Sequence, residues 1–293
     1  MHTKLTAPHV GPIGQSEAGH AVPVVSIRPS RGWVKLDLRE LWAYRQLLYF
    51  FVWRDIKVRY KRTAIGVGWA IIQPFFTMVV FSLFFGKLAG IPSDGVPYPL
   101  FAYAALVPWM YFANSMTGST NAVVEHGQMI RKVYFPRLLL PAVPVVAGLL
   151  DLILALAVLL LMMLWYGIVP TIAMLTLPAF LVLAMAASLA VGLWLSALNA
   201  LYRDVRFAVP FLVQFWLFSS PVAYPSSLVP EPWRALYGLN PMVGVIEGFR
   251  WALLGTGQAP GPAVAVSALV VLALFLGGMI YFRRVERVFA DVI

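Results

Sequence analysis

The chain has no cysteine and little charge, and both shortages narrow its chemistry. With no cysteine among 293 residues, neither a disulfide framework nor a thiolate metal site can form. Histidine is scarce as well. Three of the four precede residue 30, and only His126 lies in the apolar remainder, so no metal site is expected. No Gly-x4-Gly-Lys-Ser/Thr loop exists; Gly86-Lys87-Leu88 lacks the upstream glycine and the hydroxyl. The chain therefore cannot hydrolyse ATP by itself. Neither a Ser-His-Asp arrangement nor a Gly-x-Ser-x-Gly elbow is present.

What is abundant is apolar surface. Hydrophobic residues make up 61% of the chain, against roughly 45–50% in soluble domains, and the mean hydropathy is +0.81. A net charge of +10 would suit nucleic acid. Beside long apolar runs it reads instead as membrane orientation, and no nucleic-acid partner is expected. Of the 22 Lys and Arg, all but Lys87, Arg234 and Arg250 fall in alternate gaps between the apolar runs. Cationic gaps stay on the cytoplasmic side.

The fold class expected is an all-α polytopic membrane protein. Residues 1–30, with Pro8, Pro12, Pro23 and Pro29, read as a disordered cytoplasmic tail, and residues 31–293 as one membrane domain. The spacing of Leu38, Leu41, Trp42, Leu48, Val52 and Ile56 predicts a basic amphipathic helix over 36–60, at the membrane interface. Six spans follow, at about 64–86, 98–117, 142–166, 171–198, 207–224 and 262–282, which puts both termini in the cytoplasm. The stretch 225–254 is too interrupted to cross and too apolar for a free loop. It reads as two re-entrant half-helices entering from the outer side, between spans five and six.

Five features carry candidate chemistry. The run RDIKVRYKR from Arg54 to Arg62 ends where span one begins. It either anchors the chain to lipid headgroups or presents Arg59, Lys61 and Arg62 to a pyrophosphate-bearing lipid. The stretch Asn121–Arg137 can form one short helix with Val123, Met129, Ile130 and Val133 on an apolar edge. It is either an interfacial connector or a helix that docks into a soluble motor. Aromatic residues crowd spans two and five and the segment after them, as membrane belts, as packing, or as the lining of a channel for sugars. Asp151, alone in span three, is a packing or water-contacting residue or a proton relay. Glu247 and Arg250, three apart, are most simply a helical ion pair.

Four short motifs in order then become recognisable: RYKRTAIGVGWAIIQP over Arg59–Pro74, LNALYRDV over Leu198–Val205, SPVAYP over Ser220–Pro225 and LNPM over Leu239–Met242. Together they resemble ABC type-2 permeases that export polysaccharides, the O-antigen and teichoic-acid branch, over about residues 36–293. The resemblance implies the transmembrane subunit of an ATP-driven exporter in a bacterial inner membrane. It implies a permease homodimer bound to two nucleotide-binding subunits, which hold ATP and Mg while this chain binds no cofactor. The substrate implied is an undecaprenyl-pyrophosphate-linked glycan.

Carried onto this sequence, the resemblance makes Glu125, His126, Met129, Arg131, Lys132 and Tyr134 the ATPase-coupling residues. Trp69, Phe76, Phe215, Trp216 and Tyr224 become channel-lining aromatics, and Trp233, Arg234, Asn240, Glu247 and Arg250 fall in a periplasmic gate. Two other readings remain at this point. A glycosyltransferase or ligase for lipid-linked sugars would want paired outer carboxylates, and Asp94, Glu231 and Glu247 form no tight motif. An exporter of drugs or small lipids from the same superfamily would need a narrower, greasier cavity.

Overall fold

A computed structural model describes residues 38–61, 65–255 and 261–289; the predicted tail over 1–30 and Arg62 lie outside them. Secondary structure among the described residues is helical throughout, with no strand. In chain order the helices are α1 (Leu38–Ala43), α2 (Arg45–Lys61), α3 (Trp69–Phe81), α4 (Tyr98–Glu125), α5 (Gly127–Lys132), α6 (Leu139–Ala147), α7 (Leu149–Trp165), α8 (Leu177–Leu201), α9 (Val205–Phe218), α10 (Glu231–Tyr237), α11 (Pro241–Leu254) and α12 (Pro262–Val285).

Four stretches are long and apolar enough to cross a membrane: Gly66–Leu88, Leu139–Trp165, Ile172–Leu201 and Pro262–Val288. The shortest has 23 residues, about 35 Å of helix against a hydrocarbon core of ~30 Å. Leu139–Trp165 joins α6 and α7, and the other three extend a main helix through a shorter turn. Gly66–Gly68 leads into α3, and Ser82–Leu88 continues it as a π-helical turn. Ile172–Thr176 leads into α8.

The second predicted span is α4, which runs unbroken through Pro108 and past Thr117 to Glu125. It is not among the four most apolar stretches, and the reason is its position. Leu100 through Val107 are all buried, as are Trp109, Tyr111, Phe112, Ser115 and Met116. A helix wrapped by other helices touches little lipid, so it can carry Tyr, Trp and Ser where lipid-facing helices need Leu and Val. Its closest neighbour is α8. A Cβ on Gly192 of α8 would lie 2.6 Å from the Ser119 side chain, so glycine alone permits that approach.

The third predicted span is bent into α6 and α7 at Gly148, behind Pro141 and Pro144. Tyr111 and Ser119 of α4 donate to the Val145 and Pro141 carbonyls of the bent stretch, at 2.8 and 2.6 Å. The fifth predicted span holds a helix of 14 residues, α9. Two short helices follow it, as the interrupted sequence required. The second, α11, is buried along nearly its whole length, with Asn240 capping its first turn by accepting from the Met242 N–H at 3.0 Å.

Two hydrophobic clusters organise the packing. The larger centres on α4, α7, α8 and α11. The smaller joins Phe51 of α2, Val123 of α4, Ile130 of α5, Phe135, Leu140 of α6, Ala197 of α8 and Phe282 and Phe289 at the end of α12. The cationic gaps of the sequence gather around this second cluster, which marks the basic end of the molecule.

The predicted interface helix is broken at Tyr44, and its polar and apolar residues are less segregated than their spacing suggested. Tyr44, Leu47, Leu48 and Val52 pack toward the second cluster around buried Phe51, while Trp42, Tyr49, Phe50 and Trp53 are exposed. Aromatic residues thus occupy both the inner and the outer side. Lys57 sits 3.8 Å from the centre of the Trp53 ring.

Candidate functional site

At the basic end, residues 121–137 do not form the single helix expected. The α4 helix continues to Glu125, the backbone turns at His126 (φ −101°, ψ 15°), and α5 adds six residues before Val133 becomes extended. Glu125, Arg131, Lys132, Val133 and Tyr134 are exposed; Ile130 and Phe135 are buried and tie the segment to the second cluster. Val133 therefore leaves the apolar edge assigned to it, because the chain is already extended there. His126 faces inward. Its Nδ1 donates to the Ala122 carbonyl at 2.8 Å, and Arg54 of α2 donates to its Nε2. The contact ties the proposed interface helix directly to the segment before α5. Farther on, the Arg137 side chain donates to the Glu286 carbonyl, joining the same region to the end of α12.

Within the basic run, Arg59 is committed to two carboxylates, Asp55 at 2.9 Å and Asp151 at 2.7 Å. Asp151, alone in the sequence, thus has a partner 92 positions away. Lys61 is exposed at the end of α2. Arg59, Asp151 and Trp69 belong to the wall of one cavity of about 410 Å³, with Gln73 of α3 and Asn114 of α4. Asn114 had no sequence signal. Its meaning is visible only against α4, where it is an exposed polar residue on an otherwise enclosed stretch.

Of the residues expected in the gate, Asn240 meets the aromatic residues at the end of α9, while Trp233, Arg234, Glu247 and Arg250 are placed elsewhere. The Asn240 Oδ1 accepts from Trp216 Nε1 at 2.8 Å, and its Nδ2 donates to the Ser219 carbonyl at 3.0 Å and Ser220 Oγ at 2.9 Å. Phe215, Trp216, Tyr237 and Asn240 line a second cavity of about 340 Å³. Tyr224 donates to the Phe218 carbonyl at 3.1 Å and accepts from Tyr237 at 3.1 Å. Phe207, Phe211, Phe215 and Phe218 form an exposed aromatic side of α9, and Trp69 and Phe76 are exposed on α3. Trp216 turns inward, edge-on to Phe112 with ring centres 5.1 Å apart.

Arg250 does not form the expected ion pair with Glu247. It is 6% exposed and lies over the Phe101 ring, 3.5 Å from its centre. It donates to the Val222 carbonyl at 2.9 Å and the Phe101 carbonyl at 3.3 Å. One side chain of α11 therefore holds both α4 and the turn after α9. Arg234 donates to the Val229 carbonyl at 3.1 Å, within its own loop, and Trp233 is exposed. Burial pushes the Glu247 carboxyl above its usual range, opposed by the Ser226 hydroxyl and by the Arg250 and Arg234 cations. The three carboxylates of this region have different partners: Asp94 accepts from Ser227 at 3.2 Å, Glu231 lies 4.0 Å from Arg234, and Glu247 meets Ser226, with the Asp94 charge adding to its upward shift.

The family model described as ABC-2 type transporter matches residues 46–254. The chain belongs to that family. Among curated relatives of this ABC-2 chain, an O-antigen export system permease protein of Myxococcus xanthus is 32% identical over 261 residues, covering 87% of this chain and 98% of that protein. A Klebsiella pneumoniae protein of the same description is 25% identical over 248 residues, covering 84% of this chain and 95% of its own length. A polysialic acid transport protein of Escherichia coli is 24% identical over 241 residues, covering 80% and 91%.

Proposed function

We propose that this ABC-2 chain is the membrane subunit of an ATP-driven exporter of lipid-linked polysaccharide, working as a homodimer with two copies of a separate ATPase. The observation that carries this reading is the alignment over 98% of the Myxococcus xanthus O-antigen export permease. The chain sits in a bacterial inner membrane with both termini cytoplasmic, and ATP and Mg reside on the partner. Six crossings follow if α4, at 28 residues or ~42 Å, spans beside the four apolar stretches, and α9 crosses with its following turn. The α10 and α11 helices then enter from the periplasmic side and return, sheltered by protein.

In this reading the basic end is cytoplasmic. ATP-driven closure of the partner pushes on the exposed side of Glu125–Tyr134, and the second cluster with the Arg54–His126 contact passes the motion to α2, α6, α8 and α12. Glycan passes between protomers along the aromatic sides of α3 and α9. Lys61 and Arg62, with Arg59 where its carboxylates release it, receive the undecaprenyl pyrophosphate.

Deletion and complementation test the reading. Loss of the gene should remove surface polysaccharide while lipid-linked glycan accumulates inside, and the chain should co-purify with an ATPase carrying a Walker motif. Normal surface polysaccharide in the deletion strain would refute it. Separately, joint neutralisation of Arg59, Lys61 and Arg62 should lower export in correctly inserted protein; unchanged export removes the pyrophosphate role alone.

A further inference from the structure

We propose that the cavity between α3, α4 and α7 is a binding site for an uncharged, hydroxyl-rich sugar unit of the transported glycan. The proposal rests on the export reading and adds to it a subsite within one protomer, edged by Trp69 of α3. The cavity, about 410 Å³, falls within the ~300–1,000 Å³ range of small-ligand sites. Its wall is mainly apolar, with a few polar groups converging on it, as such sites require.

Two primary amides carry the argument. Gln73 on α3 and Asn114 on α4 both line the cavity and are exposed, and neither has a hydrogen-bond partner among the described residues. Each offers two donors and an acceptor. Facing open space on the wall, both amides are available to a ligand that donates and accepts at once. A sugar's neighbouring hydroxyls do both. Trp69, 51% exposed on the same wall, adds a flat apolar ring for the C–H face of a sugar.

Charge selects against the obvious alternative, a phosphate. Among the described residues the one cation on the wall, Arg59, is already shared by Asp55 and Asp151 at 2.9 and 2.7 Å. With Arg59 so engaged, the described wall offers a phosphate no free cation, whereas its two amides offer a sugar both donors and acceptors.

The absence of cysteine makes the test clean. Ala70→Cys places one thiol on the cavity wall, and Val169→Cys, at an exposed position, is the control. The permease–ATPase complex in nanodiscs is alkylated with N-ethylmaleimide in the presence of n-octyl glucoside or n-octyl phosphate, both below micelle formation. The tail is common, so only the headgroup differs. The expected result is that the glucoside slows labelling of the Ala70→Cys thiol, roughly tenfold at ten times its half-protecting concentration. Neither compound should affect the control thiol, and protection should vanish in Gln73→Leu/Asn114→Leu. Equal protection by both compounds, protection by the phosphate alone, no protection, or protection that survives loss of both amides overturns the proposal. If the double variant fails to fold, the headgroup comparison on the Ala70→Cys chain still decides. Export is scored separately by complementation: a chain that restores surface polysaccharide without glucoside protection loses the subsite and keeps the export reading.

Discussion

Replacing Arg250 tests the outer end most directly. The wild-type guanidinium is buried, stacked on Phe101 and bonded to two carbonyls from different segments. Arg250→Met keeps the length and apolar stem but orphans the Phe101 and Val222 carbonyls. Each charge-assisted hydrogen bond contributes about 1.5–3 kcal/mol, and a desolvated cation–π contact about 2 kcal/mol. The desolvation of the arginine, recovered on removal, offsets part of this. A net loss of ~3–5 kcal/mol results, as for breaking a buried pair. At roughly 2–4 °C per kcal/mol for a chain of this size class, the melting temperature in detergent should fall by on the order of 10 °C. Arg250→Lys should recover only part of the loss, because an ammonium cannot fork to both carbonyls while covering the ring. Differential scanning fluorimetry on the three proteins, with size-exclusion profiles to establish folding, measures this. An Arg250→Met chain as stable as wild type would refute the reasoning, because burial without a structural bond would then be the better description.

Three further outcomes are expected. His126→Ala should preserve basal ATPase of the complex but reduce export per ATP hydrolysed, by roughly 5–30-fold for a coupling loss of about 1–2 kcal/mol; an unchanged ratio means that the Arg54 contact transmits nothing. Gly248→Ala should destabilise the fold by about 1–3 kcal/mol through overpacking, since the new Cβ would lie 2.1 Å from the Phe180 ring. Phe180→Leu in the same chain should restore part of that loss in a thermal melt, and failure to do so places the strain elsewhere. Single thiols at Lys87 and Ser227 should react with an impermeant maleimide in intact spheroplasts, and thiols at Tyr134 and Arg203 only after permeabilisation; the reverse pattern would invert the topology.

Much of the helical layout was legible because lipid-facing helices must be apolar along their whole length. The stretches Leu139–Trp165 and Pro262–Val288 stand out for that reason. The same physics obscured α4, whose partners are other helices, so its Tyr, Trp and Ser residues dilute the signal that a membrane imposes. The bend at Gly148 was hidden as well, because prolines in an apolar run weaken a helix without saying where it gives way. At the sites, short-range features were readable: the basic run, the exposed segment before α6 and the aromatic clustering. Pairings across the fold were not. Nothing in the spacing joins Arg59 to Asp151 or Trp216 to Asn240, and the close Glu247–Arg250 spacing pointed to a bond that Phe101 and Val222 took instead.

The bonding of Asn240 has a mechanical consequence. One amide simultaneously starts α11, fastens the tail of α9 through two donations and holds the indole of Trp216. Three of these bonds reach α9 and the turn after it, and the fourth is local to the first turn of α11. The start of α11 can therefore part from α9 with its own cap intact, but only by giving up the indole and both serine contacts. All of those ties pass through one amide, so the two segments are released from each other at a single residue.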